Sequence, residues 1–233
     1  MTEAEWTTSA DPDAMVGFLY GLWFDDGEVP DRKLRLYACA CCRRVWPQLG
    51  DVRSRRAVET AERYADGLVS EEELDAAADA AAAVRDEEEQ VERARPEQII
   101  PPGYPIYTYG AAAYNAAIPV GCWGGAPALR SPDDIIRSVV PDRDAEAAAQ
   151  CDLLRDLFGN PFRTVVVEPA WLSPDVIGLA RDIYFQRDHV WRPELANALQ
   201  ATGCEQENIL SHCRSDRPHV LGCWVVDLLL GKE

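Results

Sequence analysis

The chain has 233 residues, 47% hydrophobic and 27% charged, the balance of a globular protein whose core needs no staples. Its net charge of −17 disfavours generic binding to nucleic-acid phosphates and leaves a solvated acidic surface as the plain expectation. No apolar run is long enough to span a bilayer, and the N-terminus MTEAEWTTSADPD lacks a basic region followed by an apolar one. The expected location is therefore the cytoplasm, where eight cysteines should be thiols or metal ligands rather than a disulfide scaffold.

In chain order, Asp11 followed by Pro12 predicts an N-cap and the first residue of a helix through AMVGFLYGLW. A second helix is predicted between Pro30 and Pro47, over DRKLRLYACACCRRVW, and a third from Asp51 to a capping Gly67. Ser70 with Glu73 three residues on is a capping box that opens a long alanine-rich helix ending before Pro96. Residues 96–130 carry Pro, Gly and Tyr without a sustained period. They read as an irregular excursion with one short helix around Ala111 to Ala117. Helices return at SPDDIIRSVV, at DRDAEAAAQCDLLRDLFG with Gly159 as its stop, at SPDVIGLARDIYFQ, at PELANALQATG, at EQENILSHCR and at HVLGCWVVDLLLG. Thr164 to Val167 is the best candidate strand and has no obvious partner. The expected fold is all-α: a single irregular helical domain over residues 1–233, of about nine helices, with 96–130 as a loop-rich insertion and at most one short strand pair.

Two Cys/His clusters are the candidates for chemistry. On a helical wheel at ~100° per residue, Leu34, Ala38, Cys41, Cys42 and Val45 share a side. Cys39 and Cys41 point nearly opposite ways, whereas Cys39 and Cys42 share a face. A redox C-x-x-C sits at a helix N-terminus, and this one is mid-helix, so packing as small hydrophobes is the first reading and a metal the second. The C-terminal cluster is Cys204, His212, Cys213, His219 and Cys223. Imidazole and thiolate are zinc's ligands, though the spacing fits no standard knuckle. His219 and Cys223, four apart, would share a helix face. Cys39 or Cys42 could complete that set. Cys122 in VGCWGG with His189 as base lacks the flanks of a papain-type nucleophile. No phosphate loop, H-E-x-x-H or G-x-S-x-G motif is present, so no catalytic residue is assigned.

Charge is unevenly spread. Residues 31–56 hold eight basic side chains against Asp31 and Asp51, and residues 70–95 hold ten acidic ones against Arg85, Arg93 and Arg95. The two stretches are expected to face each other; contact of the basic stretch with nucleic acid is the alternative. The acidic helix has a thin inner stripe of Leu74, Ala77, Ala78, Ala81, Val84 and Val91, which suits a loosely docked helix where a partner binds. The leading functional expectation is a non-enzymatic module that binds another protein, a basic one being the charge-complementary case, through this helix and residues 96–130. The alternatives are a Cys/His protein holding zinc or iron, with no other cofactor implied, and an acidic immunity or nucleic-acid-mimic protein that neutralises a basic partner.

The stretches DRKLRLYACACCRRVW, RAVETAERYADGL, LLRDLFGNPFR, PAWLSPDVIGLARDIY and HCRSDRPHVLGCWVVDLLLGKE resemble a family of uncharacterised proteins from planctomycete-type bacterial genomes. The resemblance covers most of the chain except about residues 70–145, where the family has a plain alanine-rich middle in place of the Pro/Tyr/Gly segment. It implies a bacterial, cytoplasmic protein and no particular activity, and no catalytic or binding residue is carried over from it.

Overall fold

A computed structural model describes residues 1–26, 31–95, 107–118, 131–186 and 192–232. The described residues form twelve α-helices and one 3-10 turn, with no strand among them. The all-α expectation is met; the helix count of about nine is exceeded, and the strand pair is absent from the described residues. Thr164–Val167 alternates half-buried Val165 and Val167 with exposed Thr164 and Val166, but among the described residues no second segment pairs with it. The additional N-terminal helix, α1 (Glu3–Thr8), starts on the same chemistry as the long acidic helix. Thr2 accepts from the Glu5 N–H while Glu5 accepts from the Thr2 N–H, and this capping box starts a short, largely exposed helix that buries Trp6.

The chain divides into two compact units, Asp26–Gln150 and a discontinuous one made of Met1–Asp25 and Cys151–Glu233. The first contains α3 (Asp31–Arg44), α4 (Val52–Ala65), α5 (Glu71–Arg93), α6 (Tyr109–Ala117) and α7 (Pro132–Val139). Helix α3 packs against α4, α6 and α7, and is buried from Lys33 to Cys42 on every side. That burial explains why the wheel separated the cysteines but not their environments: Cys39, Cys41 and Cys42 are all inside. The helix predicted around Ala111 is α6, whose alanines are inside this unit rather than on a surface excursion. Residues 96–106 and 119–130, with Cys122, lie outside the described residues, as does His189.

Helix α5 lies on α4 and α6 through Leu74, Ala77, Ala78, Ala81 and Val84, the small side chains permitting close approach. Val91, expected on that stripe, is instead 61% exposed. Arg53 reaches Glu87 across to α5, but Arg32, Arg43 and Arg44 pair with Asp66, Glu62 and Glu146, all outside the acidic stretch. Glu62 and Glu146 are nearly buried, and each is gripped by a guanidinium through two of its nitrogens, the geometry that gives an ion pair weight.

The other unit is built from α1, α2 (Pro12–Asp26), the C-terminal half of α8 (Arg143–Phe158), and then α9 (Pro174–Gln186), α10 (Arg192–Ala201), α11 (Glu207–Arg214) and α12 (Trp224–Leu230). Helix α1 is tied to the end of α8: the Trp6 indole N–H donates to the Gly159 carbonyl at 2.9 Å, and Arg155 donates to the carbonyls of Trp6 and Ser9. Helix α9 packs on α10 and α12, and α11 packs on α10. Their apolar faces form a core of Trp171, Val176, Ile183, Tyr184, Leu195, Leu199, Ile209, Val226 and Leu229, to which each buried aliphatic or aromatic side chain contributes about 1.5–3 kcal/mol. Among the described residues no helix is long and apolar enough to cross a membrane.

Candidate metal centre

Asp156 occupies the last turn of α8, on a stripe that also carries Leu153 and Leu157, so a helix that buries the leucines buries the carboxylate with them. His212 lies in the last turn of α11. Irregular backbone then leads through His219 to Cys223, the N-cap residue of α12. The expectation that His219 and Cys223 share a helix face is corrected: the helix begins only at Trp224, and the two meet because the intervening turn folds back, with the Cys223 N–H donating to the Val220 carbonyl.

Asp156, His212, His219 and Cys223 each offer one ligand atom, and these four atoms lie within 4.8 Å of one another. Nε2 of His212 is 3.1 Å from Sγ of Cys223 and 3.3 Å from Oδ1 of Asp156. Nδ1 of His219 is 3.7 Å from the same sulfur and 2.5 Å from the same oxygen. Both rings thus present a single nitrogen to thiol and carboxylate together. A Cys–His–Asp nucleophile would place the thiol on one ring nitrogen and the carboxylate on the other. The observed convergence is that of ligands around a common point. For zinc at its usual bond lengths, a tetrahedron has edges of ~3.3–3.6 Å. Of the four separations above, which are four of a tetrahedron's six edges, three lie close to that range, and the Asp156–His219 edge must open.

The surroundings orient the donors. Oδ2 of Asp156 accepts from the Val220 N–H at 2.9 Å, leaving Oδ1 to face the cluster, where no donor hydrogen lies in line with it although the atom is buried. Nε2 of His219 lies 3.4 Å from the Ser215 hydroxyl, so the outer nitrogen of that ring has its own partner. His212 packs edge-on against His219 and Trp224. Backbone N–H groups of Val225 and Val226 face the Cys223 sulfur. Arg192, from α10, donates to the Ser215 carbonyl at 3.3 Å.

The electrostatics follow from burial. Burial alone would push the Asp156 carboxyl up, but the two imidazoles beside it outweigh that and hold it down to about 2. Burial holds His212 below its ordinary value, toward the neutral form, against the pull of Asp156. Burial pushes the Cys223 thiol well above its ordinary range, with Asp156 adding to the effect, so without a cation the sulfur keeps its proton and is no nucleophile. One carboxylate, one thiolate and two neutral imidazoles would neutralise a divalent ion, which suits a site this dry.

Of the residues expected from sequence, His212, His219 and Cys223 come together. Cys204 and Cys213 are buried in the adjoining hydrophobic core and are not part of the group, and burial pushes the Cys213 thiol up to about 12. Cys39 and Cys42 belong to the other unit, where they fill the interior of α3, and their thiols are pushed up by burial. Asp156 was not foreseen. Its one signal in the sequence is its place on the helix face of Leu153 and Leu157 in CDLLRDLFG, a face that a helix would bury. Among the described residues this is the group whose donors could hold a metal ion. No family model, no curated protein and no solved structure matches the chain.

Proposed function

We propose that the protein binds one zinc ion through Asp156, His212, His219 and Cys223, and that the ion serves structure rather than catalysis. The observation that carries this reading is the convergence of four buried donor atoms, with each imidazole offering the same nitrogen to both the thiol and the carboxylate. Four protein ligands fill a tetrahedral ion and leave no position for water or substrate, the pattern of structural zinc. Mixed nitrogen, sulfur and oxygen donors suit zinc better than the all-sulfur sets of iron clusters or the all-oxygen sets of magnesium and calcium.

The interaction-module expectation leaned on residues 96–130, most of which lie outside the described residues, and on an α5 whose apolar stripe is covered by α4 and α6. The metal reading therefore takes precedence. It is tested by elemental analysis of untagged protein purified without chelator, followed by replacement of the ion with cobalt. Near-stoichiometric zinc, and a cobalt form with tetrahedral absorption and a sulfur-to-cobalt charge-transfer band, is the expected result. Protein that carries no zinc and takes up no cobalt would refute the reading.

A further inference from the structure

We propose that the metal centre controls the docking of the chain's C-terminal segment: occupied, it closes residues 215–230 onto the body of their unit, and empty, it releases them. The inference rests on the reading that these four side chains bind a metal. What carries it is where the donors stand. Asp156 comes from α8, His212 from α11, and His219 with Cys223 from the turn into α12. Helix α11 packs along α10 and α12 along α9, while α11 and α12 touch only slightly. The cluster is the node at which α8, α11 and α12 are joined.

The connection between α11 and α12 is held by the cluster together with a few lesser contacts: Arg217 with Asp152 on α8 at 3.8 Å, Arg192 on the Ser215 carbonyl, and Leu221 against the core. Residues 215–222 have no regular structure. Asp216, Arg217 and Pro218 are exposed. Of the polar contacts at the inner end of the turn, the Val220 N–H on Asp156 and His219 against Asp156 and Ser215 run through the cluster itself. Helix α11 has eight residues and α12 seven, each too short to persist without packing. The docked face of α12, Val225, Val226 and Leu229, is apolar and completes the core over α9. Once the ion leaves, the donors of α8, α11 and the turn lose the common partner that draws them together, and the turn is held by its remaining contacts alone. The metal thus decides whether the apolar faces of α9 and α12 are covered.

The test is hydrogen–deuterium exchange on the full chain, zinc-loaded and after chelation, with zinc content measured on both samples and zinc alone as the titrant. At zinc about 100 times its dissociation constant, amides of α12 and of 219–223 should exchange roughly 100-fold more slowly than in the chelated protein, with α3 and α4 unchanged. Trypsin supplies a second reading. Arg214 and Arg217 both lie between His212 and His219, but Pro218 blocks cleavage after Arg217, so the Arg214–Ser215 bond reports release. That bond should be cut after chelation and spared with zinc. Asp156→Asn should need at least about 100-fold more zinc to reach the same protection. A chain that binds no zinc overturns the metal reading and this inference with it. A chain that binds zinc but exchanges identically without it overturns the inference alone, as does a loss of protection that spreads through α3 and α4.

Discussion

Nδ1 of His219 lies 2.5 Å from Oδ1 of Asp156, yet no donor hydrogen is aimed along that line. A hydrogen bond needs its hydrogen between the two atoms. Two donors that both face a third point do not. The relationship is that of neighbouring ligands, and it makes the carboxylate the most informative position to change.

Asp156→Asn keeps the size of the side chain and removes its charge. Zinc affinity, measured by competition with a chelator of known strength, should fall by more than about 100-fold, beyond the 10–100-fold typical of changes to outer partners of a metal site. The Val220 N–H can still be accepted by the amide oxygen, so the unit should fold.

Metal uptake should release a proton from Cys223. Asp156, held down to about 2, and His212, held toward its neutral form, have none to give at neutral pH, whereas the buried thiol keeps its own. Loss of that proton on binding makes apparent affinity rise as pH rises, by about tenfold per unit near neutrality. Calorimetry at pH 7.5 in buffers of different ionisation enthalpy should count about one proton per zinc.

Gly159 has φ of +63°, and a Cβ there would stand 3.0 Å from Cδ2 of Trp224, the ring that packs against His212. Gly159→Ala combines left-handed strain with that clash and should cost about 2–3 kcal/mol, read from the midpoint of urea unfolding.

The three thiols of α3 should make their unit sensitive to alkali. Burial raises Cys39, Cys41 and Cys42 well above the ordinary thiol value of 9.0. Below that value neither folded nor unfolded chain ionises them and stability is unaffected. Above it the unfolded chain ionises first, so stability is lost as pH rises past 9.0 toward the folded values. Between pH 8 and 10 the three together should remove about 4 kcal/mol, and Cys42→Ala should retain about two-thirds of that slope. Unfolding curves under reductant at the two pH values provide the check.

Much of the helical framework was legible because its signals are local. Asp11 with Pro12, Asp51, Ser70 with Glu73, and the glycines at 67, 159 and 203 stop or start helices through their own backbone geometry, and the structure places helix ends at each. Helix α1 carries the same signature at Thr2 and Glu5, but six residues are too few to show a period, so the sequence raises no expectation of a helix there. Val91 was misplaced because α5 outruns the helices beneath it, which periodicity does not report.

The sequence by itself determined which residues have metal-binding chemistry and where helices break, since both depend on residue type and near neighbours. Only the tertiary structure decided which donors meet. Cys39 and Cys42 have the right sulfur at the right spacing, but their helix is enclosed on every side within one unit and offers nothing to an ion. Asp156 stands far along the chain from His212, His219 and Cys223 and reaches them because α8 buries the face it shares with Leu153 and Leu157. Ligand convergence is a property of how helices pack, and packing is set by apolar area summed over many contacts rather than by the spacing of any pair.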